Sequence, residues 1–200
     1  MKYLKKILKK IGIISVEASK TEKPFFTKDI FKNTKYCIGD YSYGKPKVLF
    51  ENEKANLFIG KFCSISENVT IFLGGNHRVD WLSTYPFNDL PTYFPEASNI
   101  IGHPDSKGDV IIKNDVWIGL NVVIMSGITI GDGAVIAAGS LLTKDVGDYE
   151  IWGGNPAILL KKRFEEPSIK KLQQLKWWDW DIDKIKEHIP LLCSNDIELI

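Results

Sequence analysis

The chain has 200 residues and a hydrophobic content of 44%, which suits one soluble domain with at most a terminal appendage. Its formal net charge of +1 implies no general attraction to nucleic acid or to an anionic membrane. The three cysteines form no CxxC pair, and their scatter indicates reduced thiols in a cytoplasmic protein.

The N-terminal segment, residues 1–35, begins with MKYLKKILKK, which carries five lysines and no acid. Leu4, Ile7, Leu8 and Ile11 recur at helical spacing, so this stretch predicts a basic amphipathic helix. Such a helix lies on a membrane surface or packs against the rest of the protein. We favour packing, because one short basic helix anchors weakly without a second signal. The apolar run IGIISV is shorter than the roughly 7–15 residues of a secretory h-region.

The most regular feature of the sequence is a six-residue repeat. An aliphatic residue returns every six positions from Ile112 to Leu142, and a small or β-branched residue follows four positions after each. The aliphatic positions are Ile112, Ile118, Ile124, Ile130, Ile136 and Leu142. A weaker block of the same period is anchored on Ile59, Ile65 and Ile71, and an isolated unit starts at Ile38.

This period matches neither an amphipathic helix nor a simple alternating strand. It suits a short strand followed by a tight turn, with one aliphatic side chain pointing inward per unit. Three such units make one coil of a triangular parallel β-helix, in which each coil buries its inward residues against its neighbours. The sequence therefore predicts an all-β solenoid over residues 36–160.

Residues 77–107 interrupt the repeat. Aperiodic loops of this length inside a compact domain are uncommon and are usually functional or disordered. This one contains five aromatic side chains, so we expect an ordered arm that projects from the β-helix. After the repeats, residues 161–200 are predicted to form a helical tail, with a start signal at Pro167 and Ser168.

Four stretches in this order resemble the xenobiotic acetyltransferases, the group of type-B chloramphenicol and virginiamycin (streptogramin) acetyltransferases. They are the arm motif GNHRVDWLSTYPF, the coil NDVWIGLNVVIMSGITIGDGAVIAAGSLLTKDV, the cap GGNPA and the tail WWDWDIDKI. The resemblance implies a left-handed β-helix. It also implies transfer of an acetyl group from acetyl-CoA to an acceptor hydroxyl, and a homotrimer with active sites between subunits.

The resemblance places the catalytic histidine of the family at His77. A hydroxyl that attacks a thioester must lose its proton, and a neutral imidazole, with an ordinary pKa of about 6.5, is suited to accept it. The alternative is a loop histidine that only satisfies a backbone carbonyl, and we favour catalysis. His103 and His188 are interpreted as structural, and Cys63 as a core residue. The γ-class carbonic anhydrases, which share the repeat, bind zinc through histidines. A zinc site needs three converging protein ligands, and we expect no metal here.

In this family the cofactor lies along a groove between coils of adjacent subunits, and basic side chains near the cap meet its phosphates. The matching positions are Trp117, Gly119, Ala138, Gly139 and Ser140 for the groove, and Thr143, Lys144 and Arg163 for the phosphates. After GGNPA the family commonly has a lysine, whereas this chain has Ile158, so the predicted phosphate contact shifts toward Lys144 and Arg163. Lys144 is equally consistent with a solvated turn lysine.

The sequence leaves two classes of acceptor open, an antibiotic and a sugar. Antibiotic-modifying members carry a longer insertion before the coil IGKFCSI, whereas here the interval Gly44 to Phe58 is short, which predicts a more open site. Relatives of this shape also modify sugars of capsules and O-antigens, so the alternative acceptor is a polysaccharide or nucleotide-sugar. An aromatic wall suited to either class is predicted from Tyr36, Tyr41, Trp81 and Tyr85. A third hypothesis, a non-catalytic interaction solenoid, is disfavoured by the intact arm motif.

Overall fold

A computed structural model of the protein describes residues 26–32, 34–51 and 54–196. Short strands in these segments form three sheets, which make the three faces of a prism. Sheet 1 contains β1 (Cys37–Ile38), β3 (Leu57–Ile59), β6 (Val110–Ile112) and β9 (Thr129–Ile130). Sheet 2 contains β4 (Ser64–Ile65), β7 (Trp117–Ile118), β10 (Val135–Ile136), β12 (Glu150–Gly154) and β13 (Ala157–Lys162). Sheet 3 contains β2 (Lys47–Leu49), β5 (Thr70–Phe72), β8 (Val123–Ile124) and β11 (Leu141–Leu142).

Equivalent positions of successive coils stack on one another. Ile59 pairs with Ile112, and Ile112 pairs with Ile130, all in parallel register. Because the chain visits sheets 1, 2 and 3 in turn, each coil takes three hexads. This confirms the predicted left-handed parallel β-helix with its C-terminal helices.

The inward side chains of the repeat form one continuous core. All six aliphatic positions from Ile112 to Leu142 are buried, as are the residues four positions after each of them. Cys63 is also fully buried, and its thiol Sγ lies 3.0 Å from the carbonyl oxygen of Lys113. Burial raises the pKa of this thiol to about 11. Cys63 is thus a core residue, as predicted.

The three edges of the prism are named here by the sheets that meet there. Residues 113–116 and 131–134 turn at the 1/2 edge, and residues 119–122 and 137–140 at the 2/3 edge. The arm leaves after β5 and returns before β6, so it projects from the 3/1 edge. Inside the arm, two short 3-10 turns span Phe87–Asp89 and Pro95–Ala97.

Helices cover the 1/2 edge. The short helix α1 (Thr27–Ile30) precedes the first strand, and β12 and β13 form the antiparallel hairpin that ends the solenoid. Beyond the hairpin lie α2 (Glu166–Leu175), a 3-10 turn (Trp177–Asp179) and α3 (Ile182–Leu192). Strand β13 runs to Lys162, so the first two residues of the predicted helical tail are in a strand.

The predicted basic amphipathic helix lies outside the described residues. Among the helices that the structure describes, none is long and apolar enough to cross a membrane. The division of the chain at residues 35 and 160 remains a prediction.

Candidate active site

The root of the arm is fastened to the β-helix by Asn76. Its backbone N–H donates to the carbonyl oxygen of Asp105 at 3.0 Å, and the Asp105 N–H donates back to Asn76 at 2.8 Å. The Asn76 side-chain amide donates to the hydroxyl of Ser126 in the coil above, at 2.8 Å. These three bonds hold the two ends of the arm together where it meets the prism.

His77 follows directly and is exposed. Its Nδ1 lies 2.7 Å from the carbonyl oxygen of Thr84. A carbonyl only accepts hydrogen bonds, so Nδ1 must carry the proton. In the neutral ring Nε2 then has the free lone pair, which is the arrangement that a general base requires.

An ion pair braces the next turn of the arm. The Arg78 guanidinium donates through Nε and Nη2 to both carboxylate oxygens of Asp80, and it lies over the Trp81 ring, 5.3 Å from the centroid. The hydrogen bond from Arg78 lowers the pKa of the Asp80 carboxyl to about 2. The guanidinium is therefore held on two sides, by the carboxylate and by the indole.

His103 lies behind His77 and is only 6% exposed. Its ring centroid is 5.1 Å from that of His77 and 4.9 Å from that of Trp81, both in edge-on geometry. Its Nε2 accepts a hydrogen bond from the Arg78 backbone N–H at 3.3 Å, and its carbonyl accepts one from the Asn88 side chain at 2.8 Å. From the sequence His103 was interpreted as structural, because nothing in an aperiodic loop indicates which residues return to its root.

A cavity of about 430 Å³ opens on the arm. Its walls include Trp81, Leu82, Tyr85, Phe87 and Ile100. Ser83 and Tyr85, which flank the Thr84 carbonyl that holds His77, also line it. None of its described lining residues carries a formal charge, so the cavity suits an uncharged ligand with apolar surface.

The residues predicted to form the cofactor groove lie on sheet 2 and at the 2/3 edge. Trp117 projects from β7 and is 58% exposed. A Cβ at Gly119 would meet the backbone N of Ala138 at 2.6 Å, so two coils approach closely there. Gly139 has a φ of +73° and open space beside it. The Ser140 side chain is buried and its hydroxyl donates to the Ala137 carbonyl at 2.6 Å, so only its backbone is left to line the predicted groove.

The predicted phosphate ligands do not lie together in one chain. Thr143 and Lys144 are exposed at the 3/1 edge, just after β11. Arg163 is at the 1/2 edge, where it donates to the Gly133 carbonyl at 2.7 Å and pairs with Asp115 at 3.4 Å. It also lines a second cavity, of about 440 Å³, beside the C-terminal helices. Arg163 therefore already has partners within its own chain, and its phosphate role remains a prediction.

The predicted aromatic wall is also divided. Trp81 and Tyr85 lie together on the arm, where they line the same cavity. Tyr36 is a buried member of the β-helix core, because its ring packs edge-on against Phe31. Tyr41 stacks on Phe62 at the 1/2 edge, with ring centroids 4.9 Å apart. Tyr36 is thus corrected to a core residue, and Tyr41 does not share a surface with the arm in one chain.

Within the segments that the structure describes, no group of three or more histidine, cysteine, aspartate or glutamate side chains converges as a metal site would require. His77 and His103 meet without a third such ligand in the described arm.

Comparison with known proteins gives consistent matches. Residues 109–144 match the family of bacterial transferase hexapeptides with six repeats. A chloramphenicol acetyltransferase from Agrobacterium fabrum (strain C58 / ATCC 33970) is 41% identical over 180 residues, which cover 83% of this chain and 86% of that protein. Virginiamycin A acetyltransferase from Staphylococcus aureus is 40% identical over 190 residues, which cover 88% and 84%.

A third relative, a probable macrolide acetyltransferase from Lysinibacillus sphaericus, is 47% identical over 140 residues, which cover 70% of this chain and 78% of that protein. These matches run through the hexad coils, and the two longer ones cover more than four fifths of the chain. On this similarity, and on the β-helix with its projecting arm, the chain belongs to the xenobiotic acetyltransferases, the type-B chloramphenicol and virginiamycin acetyltransferases of the hexapeptide-repeat superfamily.

Proposed function

We propose that this protein transfers the acetyl group of acetyl-CoA to a hydroxyl of an uncharged antibiotic of the chloramphenicol or streptogramin A type. The named relatives support this class of acceptor. The observation that carries the mechanism is the 2.7 Å contact between His77 Nδ1 and the Thr84 carbonyl, because it leaves Nε2 as the free base. A loop histidine that only satisfies a carbonyl makes the same contact, so the kinetics of His77→Ala separate the two interpretations.

The chemistry follows from that tautomer. Nε2 of His77 takes the proton of the acceptor hydroxyl as the oxygen attacks the thioester carbon. The negative charge that develops on the thioester oxygen is stabilised by backbone N–H groups at coil turns. When the tetrahedral intermediate collapses, the carbon–sulfur bond breaks and the imidazolium returns its proton to the leaving thiolate. The acetyl group moves directly from sulfur to oxygen, so no covalent enzyme intermediate is needed.

The proposed site is completed by a second copy of the chain in a homotrimer. His77 lies at the 3/1 edge, whereas the groove residues Trp117, Gly119 and Gly139 lie on sheet 2 and the 2/3 edge. One face of the prism separates these edges, a width of at most about 20 Å for six extended residues. A neighbouring copy that presents its 2/3 edge to this arm would bring the groove to His77.

Two exposed parts of the surface are proposed to receive acetyl-CoA. The open space beside Gly139 and the exposed Trp117 indole leave room for the pantetheine chain. Lys144 at the 3/1 edge is exposed and is the better remaining candidate for a phosphate, because Arg163 already pairs with Asp115.

The acceptor assignment is supported by the arm cavity. Its described lining residues carry no formal charge, whereas a nucleotide-sugar brings phosphates that need cationic partners. The short interval from Gly44 to Phe58 favours the second candidate, a neutral sugar hydroxyl, because a shorter wall leaves more room for a polymer.

The test is thiol release from acetyl-CoA with chloramphenicol, a streptogramin A, a macrolide and a panel of sugars. We expect turnover on a drug, and a loss of roughly 10²-fold or more in kcat for His77→Ala. The matched control is His188→Ala, which removes a histidine from α3, far from the arm.

Turnover on sugars alone would indicate that the protein acetylates glycans, by the same mechanism. Equal turnover by wild type and His77→Ala on any good acceptor would refute the assignment of His77. Binding of acetyl-CoA is measured separately by calorimetry, so a missing acceptor is distinguished from a missing cofactor site.

A further inference from the structure

The peptide groups on both sides of His77 are held by one short segment, residues 103–105. On the N-terminal side, Asn76 exchanges two backbone hydrogen bonds with Asp105. On the C-terminal side, the amide that joins His77 to Arg78 donates to Nε2 of His103 at 3.3 Å. The His103 imidazole thus accepts from the peptide on one flank of His77, and the Asp105 N–H donates to the peptide on the other.

Packing alone does not explain a histidine at this position. The ring is 6% exposed and packs edge-on against His77 and Trp81, contacts that a phenyl ring would make equally well. Nδ1 of His103 is buried without a hydrogen-bond partner, which is unfavourable for a group placed only to fill space. The feature that needs an imidazole is the acceptor at Nε2.

This contact acts on the orientation of His77. The Arg78 N–H belongs to the peptide plane that sets ψ of His77, and Thr84 holds the other end of the same residue through the ring. With the peptide plane and Nδ1 both anchored, the direction of the free Nε2 lone pair is defined. Loss of one anchor allows the ring to pivot about the other, and misplacement by about 1 Å can cost a reaction 10²-fold in rate.

We propose that His103 is a positioning residue, which aims Nε2 of His77 by accepting a hydrogen bond from the Arg78 N–H and backing the His77 ring. The proposal rests on the proposed role of His77 as the general base. His103 itself touches neither the acceptor nor the thioester.

Three substitutions of His103 separate the effect of its hydrogen-bond acceptor atom from the effect of its ring packing. In His103→Gln the side-chain oxygen reaches the position of Nε2 and restores an acceptor for Arg78 N–H. In His103→Asn the shorter amide reaches only the position of Nδ1. In His103→Phe the ring contacts remain and the acceptor is lost. His188→Phe serves as the matched control, because this ring also packs edge-on against a tryptophan, at 5.1 Å, but lies on α3.

We expect His103→Phe and His103→Asn to lower kcat by about 10-fold or more, with the KM for acetyl-CoA changed by less than about twofold. His103→Gln should stay within about threefold of wild type, and His188→Phe should not differ from it. Thermal unfolding is recorded for each variant. If His103→Phe does not fold, the kcat values of His103→Asn and His103→Gln are compared to test the proposal. Equal kcat for the Asn and Gln variants would overturn the proposal.

A spectroscopic measurement tests the proposal without turnover. Long-range ¹H–¹⁵N spectra of the histidine rings report which nitrogen of His77 carries the proton. All three proteins should show the Nδ1–H tautomer that the Thr84 carbonyl holds, but the ring signals of His77 should be sharp in wild type and His103→Gln and broadened by ring motion in His103→Asn. Equally sharp His77 signals in the three proteins would contradict the positioning role. If wild type shows no turnover while the spectra are as expected, the proposed function is wrong and the positioning of His77 by His103 still stands.

Discussion

Ile112 and Ile130 stack directly on one another in sheet 1, as partners in the parallel register of β6 and β9. Both side chains point into the prism and are almost wholly buried, whereas Ile111, next to Ile112, points outward and is 36% exposed. The alternation within one strand therefore separates a core isoleucine from a surface isoleucine in the same backbone environment.

Ile112→Ala is expected to destabilise the fold by about 2–5 kcal/mol, because it removes buried methyl groups and leaves a cavity between two coils. Ile111→Ala is the control, with an expected cost below about 1 kcal/mol. Urea unfolding at several protein concentrations measures both, since assembly of copies contributes to apparent stability. Similar costs for the two variants would mean that the inward phase of the repeat is misassigned.

Gly139 provides a test of the cofactor groove. Its φ of +73° lies in the left-handed region, which asparagine tolerates, and the space beside it is open. Gly139→Asn should therefore keep thermal stability near that of wild type, and raise the KM for acetyl-CoA because the added side chain enters the groove. Gly139→Ala, which adds a single methyl group, should raise it less. An unchanged KM in Gly139→Asn would place the pantetheine chain elsewhere.

Cys63 should be unreactive in the folded protein. Burial raises the pKa of its thiol to about 11, whereas Cys37 and Cys193 are exposed. In the double variant Cys37→Ser/Cys193→Ser, we expect no reaction with a disulfide reagent at pH 8, and one thiol per chain in denaturant. Because the raised pKa holds only in the folded state, this thiol's contribution to stability is lost as the pH rises from about 9 through 11. Rapid modification of the native double variant would contradict the buried position.

The Arg78–Asp80 pair in the arm should persist in mild acid. Arg78 lowers the pKa of the Asp80 carboxyl to about 2, against about 3.9 in an unfolded chain. A depressed folded pKa contributes stability above the unfolded value, and that contribution disappears as the pH falls through the folded value. A ¹³C titration of the Asp80 carboxyl should have its midpoint near pH 2, and Arg78→Met should raise the midpoint toward about 4. A midpoint near 4 in wild type would show that the pair does not form in solution.

The sequence predicted the β-helix because the repeat leaves little choice. A six-residue period with one aliphatic position per unit buries its apolar side chains only when successive coils stack, so Ile118, Ile124 and Ile136 had to point inward. Trp81 and Tyr85 were placed beside His77 for a similarly local reason. All three lie within nine residues of one loop, and Trp81 and Tyr85 line one cavity there.

The sequence did not indicate the surroundings of Tyr36 and Arg163, because both depend on the path of the chain. Which edge of the prism a residue reaches depends on where the turns and the terminal hairpin direct the chain. Arg163 follows β13 and lies beside Asp115, at the opposite edge of sheet 1 from Lys144. Tyr36 turns inward just before β1 and packs against Phe31.

By itself the sequence determined the coil, the inward phase of the hexads and the position of the arm that carries His77, because periodic burial and local proximity are properties of neighbouring residues. Only the tertiary structure decided which atoms hold His77. The Thr84 carbonyl, the Arg78 N–H and the ring of His103 meet at the root of an aperiodic loop, with His103 twenty-six residues beyond His77. No pattern of residue types marks such contacts, since they arise from the path by which the loop returns to the prism.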